Sequence, residues 1–228
     1  MGKGSKEGLT GVAYPAKAWT SPAGAVGAAL AALVLCAPAV GQAQAGGWET
    51  PRSFSLGLAA AATHWRAGCS GATACDRNDT GWRLTGAWQF APQGALELVA
   101  SDRGRVRAEA LGDQGLRSSE VHVRGLGVNL AWLLPLTPQW QFAARAGVVG
   151  NRARWTETVA TSLSPEESSR TRTDPALGLG LSWRLSPSVS IDGRLDWTST
   201  RLAPPAQSVI GGGSTPSHQW GLGLTGYF

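Results

Sequence analysis

Few side chains in this 228-residue sequence are placed to do chemistry. Hydrolysis by a nucleophile needs a histidine held against a serine or cysteine and oriented by a carboxylate. The three histidines, His64, His122 and His218, are scattered and none forms a His-x-Ser arrangement. They also lack neighbouring cysteines at zinc-ligand spacing, so no metal site is expected. No glycine motif stands before a helix to cradle phosphates, so nucleotide cofactors and nucleic acid are not expected either. Two groups remain. Cys69 and Cys75 form a close pair, and Arg83, Glu97, Arg145, Arg184, Asp192, Arg194 and Asp196 recur on one side of alternating segments.

The cysteine chemistry depends on compartment. All three lysines, Lys3, Lys6 and Lys17, precede an Ala/Leu/Val run from Ala23 to Ala37, followed by Pro38 and the small-residue stretch Gln42-Ala43-Gln44-Ala45. That is the order of a secretory signal: basic, apolar, then a cleavage site. A membrane anchor over Ala23 to Val40 is the alternative, because such a run just reaches across a bilayer. Cleavage after Ala45 divides the chain into a removed signal, 1–45, and one domain, 46–228. It also removes Cys36, Glu7 and every lysine, leaving 17 arginines against 14 acidic residues. In an exported chain Cys69 and Cys75 are then an even pair, expected to form a disulfide that staples a short loop.

The elements that must position the charges are strands. Leu177, Leu179, Leu181, Trp183 and Leu185 interleave with Gly178, Gly180, Ser182, Arg184 and Ser186, a period of two. Trp220, Leu222, Leu224, Gly226 and Phe228 repeat it at the C-terminus. Further rows run through 54–62, 82–90, 96–100, 126–134, 140–148 and 189–197, giving eight strands in all. A soluble sandwich would turn the apolar rows inward and the charges to water. A membrane barrel would turn the same rows to lipid and the charges into its lumen. Alternation alone leaves both open.

Three features favour the barrel. Short connections at Ala91–Gly94, Leu136–Gln139 and Ser186–Ser188 alternate with long ones near 64–79, 102–121, 152–174 and 199–217, expected to be mobile outside loops. Trp88, Phe90, Trp132, Trp140, Trp183 and Phe228 gather near the short turns, as in an interfacial aromatic girdle. The chain also ends on an aromatic, Phe228, within an apolar row. The expected fold is all-β: a closed eight-stranded antiparallel up-and-down transmembrane barrel, whose narrow interior these charges fill.

The run from Cys75 to Pro92, with Ala95-Leu96-Glu97-Leu98, resembles the second strand and turn of the OmpA-like outer-membrane β-barrel family. Arg124-Gly125-Leu126-Gly127-Val128-Asn129-Leu130 with Leu134-Pro135-Leu136 is similar to its fourth strand and turn, and Gly221 to Phe228 to its ending. Ala100 stands where the family often has tyrosine. The resemblance implies a Gram-negative outer-membrane protein, in contact with outer-membrane lipid and lipopolysaccharide, inserted by the barrel assembly machinery reading Phe228, and monomeric. It implies a structural, envelope-integrity or surface-interaction role through the outer loops, without cofactor or catalysis. The alternatives are a narrow gated pore, opened when Glu97 exchanges arginine partners, and a lipid A-modifying barrel enzyme. Most remaining arginines, including Arg103, Arg105, Arg107, Arg152 and Arg154, fall in the expected outer loops, where guanidinium groups suit lipopolysaccharide phosphates.

Overall fold

The computed structural model of the chain describes residues 54–112, 115–160, 165–202, 204 and 208–228. The expected signal segment and its cleavage site lie outside them. The strands are β1 (Phe54–Trp65), β2 (Ala74–Asp76), β3 (Asn78–Ala91), β4 (Gly94–Gly112), β5 (Gly115–Pro135), β6 (Trp140–Val159), β7 (Glu166–Ser186), β8 (Val189–Leu202) and β9 (Gly213–Tyr227). Eight of them close a ring of antiparallel pairs, β1-β3-β4-β5-β6-β7-β8-β9 and back to β1. Closure gives every long strand two partners, which is what lipid demands of an extended chain. The short β2 adds to the far end of β4 through Ala74–Asp76 opposite Arg107–Glu109.

Around the short-turn end, alternation sets outside against inside. Leu126, Val128, Leu130, Trp132 and Leu134 of β5 face outward, Leu126 being 61% and Trp132 64% exposed, while Asn129 and Ala131 between them are buried. The outward apolar residues of the other strands complete a belt. Trp140 and Trp183, directly paired in register, stack with ring centroids 5.8 Å apart at its lower edge.

Beyond the belt the strands do not end where the apolar rows end. The segments 102–112, 115–124, 152–159, 166–174, 199–202 and 213–217 continue as strands, so the four mobile loops expected from sequence are largely a folded extension of the barrel. Its polarity is reversed. Val121 and Val123 of β5 and Ala153 and Trp155 of β6 point inward, whereas Arg124, Arg152 and Arg154 point outward. The inward residues join Trp65, Val106, Ala108, Leu202 and Ile210 in a buried apolar core beneath the long-loop end. Cys69 and Cys75 are disulfide-bonded in the β1–β3 connection, and Cys69 packs against this core.

In β4 the reversal is made by a bulge between Asp102 and Arg105. Gly104 there has φ 74°, and a β-carbon on it would collide with Asp79. The left-handed turn and the close approach both require glycine. The extra residue shifts the parity, so that Val99, Ser101 and Arg103 face inward below the bulge and Val106 and Ala108 face inward above it.

Candidate functional site

The seven charged residues singled out in the sequence lie inside the barrel, in two groups. Glu97 of β4 is at the centre of the first and is 4% exposed. It accepts hydrogen bonds from Arg145 Nε of β6 at 2.8 and 3.0 Å and from Arg194 Nη1 of β8 at 3.1 Å. Arg194 Nε reaches on to Asp196 at 2.9 Å, and Arg83 Nη2 of β3 contacts the same carboxylate at 2.6 Å. Arg83 also donates to Gln219 of β9. One chain of alternating charge therefore spans the lumen through Arg145, Glu97, Arg194, Asp196 and Arg83.

The neighbouring inward positions are small for a physical reason. A β-carbon at Gly180 would overlap the Arg145 guanidinium, and one at Gly178 would overlap the Asp196 carboxylate. Glycines on β7 thus leave the room that long charged side chains on β6 and β8 fill. Buried ions are tolerated only when paired and hydrogen-bonded.

Arg184 and Asp192 form the second group, nearer the short turns. Arg184 lies over the Tyr227 ring, 5.7 Å from its centroid, while the Ser190 hydroxyl donates to Asp192 and lies 3.1 Å from the Tyr227 hydroxyl. Between the two groups is a cavity of about 100 Å³ whose lining includes Glu97, Arg145, Arg184 and Tyr227. Phe228 follows β9, exposed, its backbone N–H donating to the Phe54 carbonyl at 2.9 Å.

Sequence reading missed a further polar layer between the charge chain and the apolar core. Arg103, expected in an outer loop, is instead buried and donates to Thr198 Oγ1. The β4 bulge hides this, because Arg103, Arg105 and Arg107 look like one face but only the last two point outward. Asn151 Nδ2 donates to Asp174 Oδ2 at 2.8 Å, and Gln219 Nε2 donates to Thr63 at 3.2 Å. A signal existed: Asn151 keeps the parity of Arg145, and Asp174 that of Gly178.

The histidines sit on the outward face. His64 bonds Asn78 at 2.7 Å, and His122 Nε2 bonds Asp102 at 2.8 Å. Among the described residues no group of three His, Cys, Asp or Glu side chains is placed to hold a metal.

The sequence profile of the OmpA-like transmembrane domain matches residues 52–202. A comparison with curated proteins returns no match. Among solved structures, neisserial surface protein A (NspA) superposes with a TM-score of 0.56 at 13% identity, over 77% of this chain and 97% of that one. OprG of Pseudomonas aeruginosa gives 0.49 at 15% identity over 77% and 95%. A major outer membrane protein of Thermus thermophilus gives 0.47 at 15% identity over 77% and 99%.

Proposed function

The chain belongs to the family of OmpA-like transmembrane domains, and from that premise we propose that it is an outer-membrane barrel with a structural and surface-interaction role, its short turns periplasmic and its folded extension outside. The observation that carries this reading is the buried apolar core of the extension. Trp65, Val106, Val121, Val123 and Ile210 are fully buried there, above the polar layer that separates them from the paired lumen charges. A solute path would have to break a paired ion chain and open an apolar core at once. The same core makes the outside half a rigid platform, which suits display of a surface better than passage of solutes.

Conductance in planar bilayers tests it. The expected trace is flat for the wild-type protein, while a strain lacking the protein shows weakened envelope resistance to detergent that returning the wild-type barrel restores. Steady wild-type channels would overturn the reading in favour of the gated pore, because the cavity beside Glu97 would then have to connect to the outside.

A further inference from the structure

Closing the barrel brings two of the three histidines side by side. His64 of β1 and His218 of β9 are direct partners in the register, on the seam where the first strand meets the last. Both keep the parity of the outward rows, His64 exposed and His218 half-buried, one step above the paired Ala62 and Trp220. Across four adjacent strands their row reads Trp197, His218, His64 and Asn78. Directly opposed residues of an antiparallel pair have β-carbons about 4.5–5.5 Å apart, close enough for two imidazoles to share one ion. Distance along the chain conceals the pair, because ligand spacing is read within one segment and these residues come from opposite ends of the domain.

The hydrogen bonds leave both rings ready for a ligand. An amide oxygen only accepts, so the 2.7 Å contact between His64 Nδ1 and Asn78 Oδ1 puts the ring proton on Nδ1. In the neutral ring Nε2 then keeps its lone pair free. Because β1 lies between β3 and β9, a ring that turns Nδ1 toward Asn78 carries Nε2 on its β9 flank, the side of His218. His218 Nε2 is itself shut off from solvent and has no hydrogen-bond partner among the described residues. A buried nitrogen without a partner carries a cost that a bound ion relieves. His122 is different, since its Nε2 is already held by both oxygens of Asp102, at 2.8 and 3.0 Å.

The donor set selects the ion. Neutral imidazoles suit Zn²⁺, Ni²⁺ and Cu²⁺. Ca²⁺ and Mg²⁺ need oxygen ligands, and no carboxylate stands in this row. Metal-bound histidines use an outer partner to fix their tautomer and orientation, the part that Asn78 plays for His64.

We propose that His64 and His218 form a binding site for one divalent transition-metal ion, with Asn78 as a positioning residue and water completing the coordination. A metal there ties the first strand to the last, so the ion acts as a clamp on the closing seam. The inference rests on the β1–β9 register and not on the outer-membrane reading.

The test uses the untagged protein in non-ionic detergent micelles, titrated with Cu²⁺ and with Zn²⁺. Calorimetry is expected to show one ion per barrel, bound about tenfold or more weakly by His64→Ala, by His218→Ala and by Asn78→Ala, while His122→Ala binds as wild type does. Electron paramagnetic resonance of the Cu²⁺ form should show two ring nitrogens in wild type and fewer in either single histidine variant. The ion binds the paired strands and not the separated ones, so Zn²⁺ should raise the urea midpoint of wild type and leave that of the His64→Ala, His218→Ala double variant unmoved. Equal binding by wild type and double variant overturns the proposal, as does a two-nitrogen spectrum kept by either single variant. Effective competition by Ca²⁺ or Mg²⁺ overturns imidazole as the ligand. A second measurement needs no substitution: Zn²⁺ should shield His64 of the folded wild-type protein from diethyl pyrocarbonate, read by mass spectrometry, without changing the labelling of His122. Equal labelling of His64 with and without Zn²⁺ overturns the site even if a variant fails to fold.

Discussion

The same strands build two halves of opposite polarity. In the belt half of β5, Leu130 faces out and Asn129 faces in; in the outer half of the same strand, Val123 faces in and Arg124 faces out. The β5 backbone register against β6 runs unbroken through both. What changes is the solvent. Lipid outside rewards apolar outward rows and forces the polar groups to satisfy one another in the lumen. Water outside restores the ordinary arrangement, in which apolar burial drives the packing.

One chemical change should therefore cost very different amounts in the two halves. Glu97→Ala leaves Arg145 and Arg194 buried without their shared carboxylate, and is expected to cost about 3–5 kcal/mol. Glu120→Ala, on the watery outer face of the second half, should cost about 1 kcal/mol or less. Urea unfolding in lipid vesicles, followed by tryptophan fluorescence, measures both. Equal costs would mean that the lumen charges are hydrated, and the two halves would not differ in the way described.

Apolar positions should show the converse. Trp155, 1% exposed in the outer core, is expected to lose about 3–5 kcal/mol on substitution by alanine. Leu130→Arg places a charge at mid-belt and is expected to cost about 2–4 kcal/mol in a bilayer. The matching outward change in the other half, Thr156→Arg, lies among arginines already facing water and should be nearly silent. The same unfolding assay ranks the three, and a silent Leu130→Arg would remove lipid from the outer surface of the belt.

A smaller effect concerns the staple of the outer half alone. Cys69 and Cys75 are bonded across a six-residue separation beside the outer core. Reduction is expected to cost about 2 kcal/mol by the loop-closure account, and to raise hydrogen exchange near Thr73–Asp76 while leaving the belt strands protected. Loosening of both halves together would show that they unfold as one unit.

How much of this was legible follows from the same contrast. Rows such as Leu177 to Leu185 and Trp220 to Phe228 revealed the strands, because one face meets lipid and the pattern is read directly. The site charges Glu97, Arg145, Arg194 and Asp196 were found as the polar residues opposite those rows. The outer half was misread as loops because the apolar parity changes face without any gap: Leu126 belongs to one row and Val123 to the other. Counting a single apolar row therefore stops at the rim. Arg103 was lost for a separate reason, the bulge at Gly104, whose shift of parity depends on a turn that spacing does not reveal. Pairing among the lumen charges was beyond sequence, since it depends on which strands of the closed ring face one another.

The outer half also carries a titrating group of its own. Glu157 lies on the inward side of β6, well above the belt, and is buried. Burial pushes its carboxyl above the ordinary carboxylate range, and Glu166 adds to that, against the opposing pull of the Ser208 hydrogen bond and Arg117. A raised carboxyl favours the protonated form in the folded state. Its contribution to stability is thus fully present below the unfolded carboxylate value, about 4.3, and is lost as pH rises through the folded value. The hydrogen-exchange protection factor of the Ser208–Ile210 segment should therefore fall between mildly acidic and neutral pH. Glu157→Gln, which keeps the shape without the charge, should hold that protection factor at its acidic value throughout. The belt strands should show no such dependence in either protein. A pH response that survives Glu157→Gln would assign the loosening to another group and leave the outer half without a titrating latch.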